Sequence, residues 1–155
     1  MHYFDIKFLI VVTLLALILV SYSLLRKKIG QEWIVAILCA LFITSYTEYI
    51  YTESNLFIGT LNIFPLISWT AGLMVLREIY EQVTAKYKFV FVSIVYVVAI
   101  LLVEYIGYYL LGIERVGNYP SLLGLGVIHG QFVTHAFYLF AGPIYLLVTD
   151  YLKVK

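Results

Sequence analysis

Val103-Glu104-Tyr105-Ile106-Gly107-Tyr108-Tyr109 sets a carboxylate inside a run of residues otherwise suited only to lipid. The run extends from Phe89 to about Ile113, and about 20 apolar residues in helical form cross the roughly 30 Å of a bilayer's hydrocarbon. A charge near the bilayer interior costs on the order of 2.5 kcal/mol or more, so such a residue faces other protein or water and generally has a task. The stretch therefore predicts a membrane-spanning helix packed among others, with Glu104 turned inward. The tripeptide Glu-Tyr-Ile occurs a second time, as Glu48-Tyr49-Ile50.

The rest of the chain agrees with that reading. Of 155 residues, 63% are hydrophobic and only 12% charged, a balance that excludes an ordinary soluble domain. No basic block with interleaved aromatics is present, which sets nucleic acid aside as a partner. Cys39 stands alone in an apolar segment and cannot form an intrachain disulfide. Apolar runs over 6–25, 33–51, 57–76, 89–113 and 129–149 predict an all-α, polytopic transmembrane helical bundle of five spans in a single domain, 1–155. The first run is followed, not preceded, by Arg26-Lys27-Lys28, as in an uncleaved signal anchor. Gly124, Gly126 and Gly130 weaken the start of the last apolar region, so Ser121 to Ile128 is expected to be interfacial or re-entrant.

Five spans put the termini on opposite sides. Arg26, Lys27, Lys28, Arg77, Lys86, Lys88, Lys153 and Lys155 fall on one side, and Lys7 and Arg115 on the other. The positive-inside rule then predicts a multi-pass cell-membrane protein with its N-terminus outside and its C-terminus in the cytoplasm. Aligning the two Glu-Tyr-Ile copies predicts an internal duplication of a helical hairpin, about 33–76 and 89–149. Asn62 follows Glu48 at the same interval as Asn118 follows Glu104, with Pro65 and Pro120 shortly after. Chance recurrence in a tyrosine-rich chain is the alternative.

Depth groups the polar residues. At about 1.5 Å per residue, Glu48 lies roughly 22 Å above Trp33 and Glu104 roughly 24 Å above Lys88, and counting back from Arg77 and Tyr151 brings Asn62 and His135 to the same level. Glu104, Glu48 and His135 are the candidate catalytic residues, and Asn62, Gln131, Thr134, Tyr138 and Tyr46 the candidate substrate-binding ones. They would line a pocket toward the outer face, with the first helix as scaffold. Each also has a structural reading: a carboxyl bonded to tyrosines, a satisfied buried histidine, a capping asparagine, interfacial tyrosines. Trp69 is mid-span, where it would line the pocket or pack, packing being the simpler role. Pro65 and Pro143 inside spans are expected to kink them. Phosphate-binding loops, nucleophile elbows and zincin motifs are absent.

Two carboxylates and a histidine in an apolar setting suit proton chemistry, because desolvation lets a carboxyl hold a proton at neutral pH while His135 or the second carboxylate accepts one. Glu104-Tyr105-Ile106-Gly107 through Gly112 resembles the Glu-bearing helices of small polytopic membrane proteins of carotenoid biosynthesis, of the lycopene-cyclase-domain and carotenoid-hydratase type. The resemblance covers about two of the five spans, and the Pro-x-Glu-Glu motif of the cyclases is absent. It implies that Glu104, and by the repeat Glu48, act as acids on isoprenoid double bonds. The expected function is acid–base chemistry on an isoprenoid or other lipid, with a membrane lipid or apolar small molecule as partner and a homo-oligomer left open. A small proton- or cation-coupled transporter or binding protein, or a non-catalytic assembly subunit, are the alternatives. No cofactor is implied. The Glu-x-x-His spacing of di-iron bundles is missing, so no metal ligands are assigned.

Overall fold

The computed structural model describes residues 6–25, 30–47, 49–51 and 56–152. Among them the chain is mostly helical, with α1 at Ile6–Leu25, α2 at Gln31–Thr47, α3 at Ile63–Gln82, α4 at Lys88–Tyr105 and α5 at Phe132–Tyr151. A two-stranded hairpin, β1 (Phe57–Ile58) and β2 (Leu61–Asn62), joins α2 to α3, and α4 runs on into a π-helical turn at Ile106–Leu110. Among the described residues, three helices are long and apolar enough to cross a membrane: Ile63–Gln82, Lys88–Leu110 and Phe132–Tyr151. The apolar stretches of α1 and α2, Ile6–Ser21 and Gln31–Thr47, are shorter.

α3 is the hub, touching α1, α2, α4 and α5. Its buried face carries Trp69, Thr70, Ala71, Leu73, Met74, Leu76 and Tyr80. α4 buries only Val92 and Tyr96 and leaves Val90, Phe91, Ile94, Val98, Leu102 and Val103 exposed, as a helix facing hydrocarbon would. α5 approaches α4 where Gly142 meets Tyr96. A Cβ there would stand 2.7 Å from the ring, and the Tyr96 hydroxyl donates to the Tyr138 carbonyl at 2.8 Å, one turn before Pro143. Proline removes one rung of the helical ladder, and a hydroxyl bonded close by helps hold that stretch of helix in place.

Several element ends differ from the sequence reading. The second apolar run was expected to stay helical to Tyr51, but α2 ends at Thr47. Beyond it the backbone pairs sideways, with Tyr51 bridged antiparallel to Arg115 and Val116 N–H bonded to the Ile50 carbonyl at 2.9 Å. The third helix starts at Ile63 instead of Phe57 because Gly59, at φ +63°, turns the chain into a hairpin with Phe57 opposite Asn62. Asn62 then caps α3, its Oδ1 accepting from Phe64 N–H at 3.2 Å. Pro65 thereby falls in the first turn, where a missing N–H costs nothing, and not mid-helix as its place in the apolar run implied. α5 begins at Phe132, three residues after the expected start. The region before it is a closed loop with one 3-10 turn, Leu122–Gly124, held by Leu122 N–H to Val127 O and Gly130 N–H to Pro120 O.

The two matched Glu-to-Asn intervals lead to different local structures. Asn62 is a buried cap next to a tight hairpin, whereas Asn118 is exposed in a long loop and Pro120 lies well ahead of α5.

Candidate functional site

The polar groups gather at the end of the bundle where α2 finishes and α3 begins. Glu104 lies in the last turn of α4, half-buried, and its Oε1 accepts a hydrogen bond from the Tyr138 hydroxyl of α5 at 2.7 Å. Such a bond to a carboxylate is among the stronger kinds. The Tyr138 ring stands edge-on to Trp69 of α3, centroids 5.1 Å apart. Trp69 donates its indole N–H to the Tyr49 hydroxyl at 3.2 Å. Tyr49 is 2% exposed. Its backbone carbonyl accepts from Asn62 Nδ2 at 2.9 Å, so the residue that caps α3 also fixes the segment carrying Tyr49.

Arg115 closes the arrangement from the loop after α4. Its Nη2 donates to the Thr47 carbonyl at 3.0 Å, its Nη1 to the His129 carbonyl at 3.1 Å, and its guanidinium lies 4.7 Å from the Tyr49 ring centre and 5.4 Å from that of Tyr119. A cation at the last carbonyls of α2 answers the negative end of the helix dipole. Tyr49 stacks on Tyr51, and the buried Lys7 ammonium sits 5.1 Å from the centre of the Tyr51 ring. Each of the two stacked tyrosines thus has a cation near its ring.

Of the residues singled out from the sequence, Glu104, Tyr138 and Asn62 are brought into one connected layer. Glu48 lies outside the described residues. Thr134 is buried one turn before Tyr138, packed at Gly130 beside Arg115. His135 is half-buried, and its Nε2 is a buried atom with no hydrogen-bond partner among the described residues. Gln131 and Tyr46 are not in the layer. Gln131 is exposed at the N-cap of α5 without a capping side-chain bond. Tyr46 is 61% exposed and packs with Phe42 and Phe137, because the buried stripe of α2 runs through Ala36, Ala40, Ile43, Thr44 and Thr47 on its other side. His129 stacks on Tyr108 at 4.5 Å.

The layer is packed from side chain to side chain. Two open apolar grooves flank it on the surface. One, of about 290 Å³, is lined by Val98, Leu101, Leu102, Tyr105, Leu125 and Val127, and the other, of about 360 Å³, by Leu41, Phe42, Ser45 and Tyr46. Among the described residues there is no cluster of three metal-ligating side chains.

Arg115 and Tyr49 are the members that sequence reasoning passed over, and Trp69 was left between lining the pocket and packing. Tyr49 stands inside the repeated Glu-Tyr-Ile tripeptide, which could have flagged it. Arg115 is the only lysine or arginine between Lys88 and Lys153, a position that was counted as a topology signal. No protein-family model, no curated protein and no solved structure matches this chain.

Proposed function

We propose that the chain is an integral membrane protein of five spans that performs acid–base chemistry on an isoprenoid or other apolar lipid, with Glu104 as the acid. The observation that carries the reading is the Glu104–Tyr138 pair: a carboxyl bonded by a buried hydroxyl at 2.7 Å, at the meeting of α4 and α5. Glu104 Oε2 takes no hydrogen bond among the described residues and is the oxygen left to exchange a proton. Leu101, Leu102 and Tyr105 border Glu104 along α4 and also line the 290 Å³ groove, which suits an apolar chain. Protonating a carbon–carbon double bond leaves a carbocation that must lose a proton or capture water. His135, three positions before Tyr138 on α5 and with an unpartnered Nε2, is the candidate base.

The proposed orientation has the N-terminus outside and the C-terminus in the cytoplasm. It is supported by the basic residues within the described segments. Arg77 and Lys88 gather around Tyr80 and Asp150, with Arg77 Nη1 2.7 Å from Asp150, while Lys7 and Arg115 meet on the Tyr49–Tyr51 stack at the opposite end.

A second reading, an assembly subunit whose polar layer only fastens helices, is favoured by the fact that Asn62 and Arg115 donate to backbone carbonyls. Replacing Glu104 by Gln separates the two. The amide keeps shape and bonding capacity but has no transferable proton. Incubated with membrane isoprenoids and followed by mass spectrometry of the lipids, the unmodified protein is expected to convert a substrate that Glu104→Gln leaves unchanged. Equal lipid profiles with both proteins would overturn the enzymatic reading in favour of the structural one.

A further inference from the structure

Tyr138 is gripped by α4 at two points. Its backbone carbonyl accepts from the Tyr96 hydroxyl at 2.8 Å, and its own hydroxyl donates to Glu104 Oε1 at 2.7 Å. Helix geometry makes the double grip possible. A helical side chain leans toward the N-terminus of its helix while the carbonyls point toward the C-terminus, so one residue offers its phenol and its carbonyl in opposite axial directions. Tyr96 and Glu104 stand eight residues apart on α4, about 12 Å of helix rise, and take hold of Tyr138 from its two ends.

Gly142 clears the way for the Tyr96 grip. It lies four residues after Tyr138, one turn further along the same face of α5, where the Tyr138 carbonyl points. A Cβ there would stand 2.7–2.8 Å from three carbons of the Tyr96 ring, so glycine lets that ring lie against α5 with its hydroxyl in reach of the carbonyl. Little else fixes α4 at this height, for the residues it buries are Val92 and Tyr96. In lipid, apolar contact between helices holds register weakly, because the lipid is as apolar as the neighbour; close approach at small residues and interhelical hydrogen bonds decide it. Tyr96 and Gly142 supply both.

We infer that Tyr96 and Gly142 are positioning residues for Glu104: together they set the register of α5 against α4, so that the Tyr138 hydroxyl arrives at Oε1. Neither residue is bonded to the carboxyl, and both act through Tyr138. The edge-on contact of the Tyr138 ring with Trp69 of α3, at 5.1 Å, restrains the phenol from a third side. The inference rests on the reading of Glu104 as an acid for its consequence, which is that Oε1 stays bonded while the carboxyl exchanges its proton. The register itself does not depend on that reading.

The infrared carboxyl stretch of Glu104 tests this in the full chain in lipid nanodiscs. It is read as the carbonyl band where the group is protonated and as the carboxylate bands where it is ionised, and it is assigned by its loss in Glu104→Gln. Tyr138→Phe removes the bond to Oε1 outright and marks the position of the unbonded carboxyl, a carbonyl band moving to higher wavenumber. Tyr96→Phe keeps the ring and removes only a hydroxyl two turns away from Glu104. Its Glu104 band is expected to move toward the Tyr138→Phe position. Gly142→Ala, which pushes the ring off α5, should move the band the same way and covers the case in which Tyr96→Phe fails to fold. A band that stays at its unmodified position in folded Tyr96→Phe overturns the inference, since a role in packing alone would leave it there. A Tyr138→Phe band that does not move overturns it too, because there would be no bond to position. Unchanged lipid chemistry in Glu104→Gln together with a moved band in Tyr96→Phe would remove the acid role and leave the register standing.

Discussion

Arg115→Met keeps the apolar stem of the side chain and removes the guanidinium, and the structure sets the size of the effect. Two charge-assisted bonds are lost, to Thr47 O at 3.0 Å and His129 O at 3.1 Å, each worth about 1.5 kcal/mol at the low end of its range. Two ring contacts go with them, at 4.7 and 5.4 Å from Tyr49 and Tyr119, at about 0.5 kcal/mol each for partly exposed geometry. Against this, Arg115 Nε is buried without a partner, a debit of about 1 kcal/mol that the methionine removes. The net expectation is a loss of about 3 kcal/mol.

Reversible unfolding in mixed micelles, with the denaturing detergent fraction as the variable, reads that loss as a shifted midpoint. Arg115→Lys should recover about half, since one ammonium reaches one of the two carbonyls and loses the planar fit to both rings. A loss below about 0.5 kcal/mol in Arg115→Met would refute the reasoning, because Arg115 would then be an ordinary surface charge.

Two other outcomes are expected. Gly142→Ala places a methyl 2.7–2.8 Å from three carbons of the Tyr96 ring, whose hydroxyl is pinned to Tyr138 O; overpacking should outweigh the better helix propensity and cost about 1–2 kcal/mol, and the penalty should vanish in a Tyr96→Ala background, as a double-mutant cycle will read. Cysteine at position 116 should react with a membrane-impermeant reagent from outside whole cells and cysteine at position 86 should not, the reverse pattern contradicting the orientation.

Much of the helix content was legible because apolar runs are a one-dimensional signal. α1 matches its run over 6–25, and α4 with its π turn spans Lys88 to Leu110 against an expected 89–113. Ends were less legible where the backbone finds a partner that the run does not announce: Gly59 starts a hairpin within apolar sequence, and Tyr51 pairs with Arg115, a residue far along the chain. The site was legible in depth and illegible in azimuth. Equal height put Glu48, Glu104, Asn62 and His135 together on paper, with Thr134, Gln131, Tyr138 and Tyr46 within a turn, but the rotation of each helix about its axis decides which side chain faces inward. α2 turns Tyr46 out and Thr47 in, one residue apart. Arg115 escaped notice for a related reason. A charge in a loop tells the sequence reader which side of a membrane it prefers, and only packing reveals that it meets the end of one helix and the approach to another.

The π turn after Glu104 reconciles two demands on α4. Regular α-helix would put Tyr108 on the same face as Glu104, four residues on, and both would then compete for the space beside Tyr138. From Ile106 the bonding widens, Leu111 N–H reaching back to Ile106 O and Ile113 N–H to Gly107 O, and Gly112 at φ +64° ends the helix. The extra residue in the turn shifts the face that follows. Tyr108 then stacks on His129 at 4.5 Å, and the Tyr109 hydroxyl donates to Gly126 O at 2.9 Å. Glu104 is left to Tyr138, while the next turn anchors the loop that carries Leu125 and Val127 to the groove. The irregular turn thus joins the helix that carries Glu104 to the loop that completes the groove beside it.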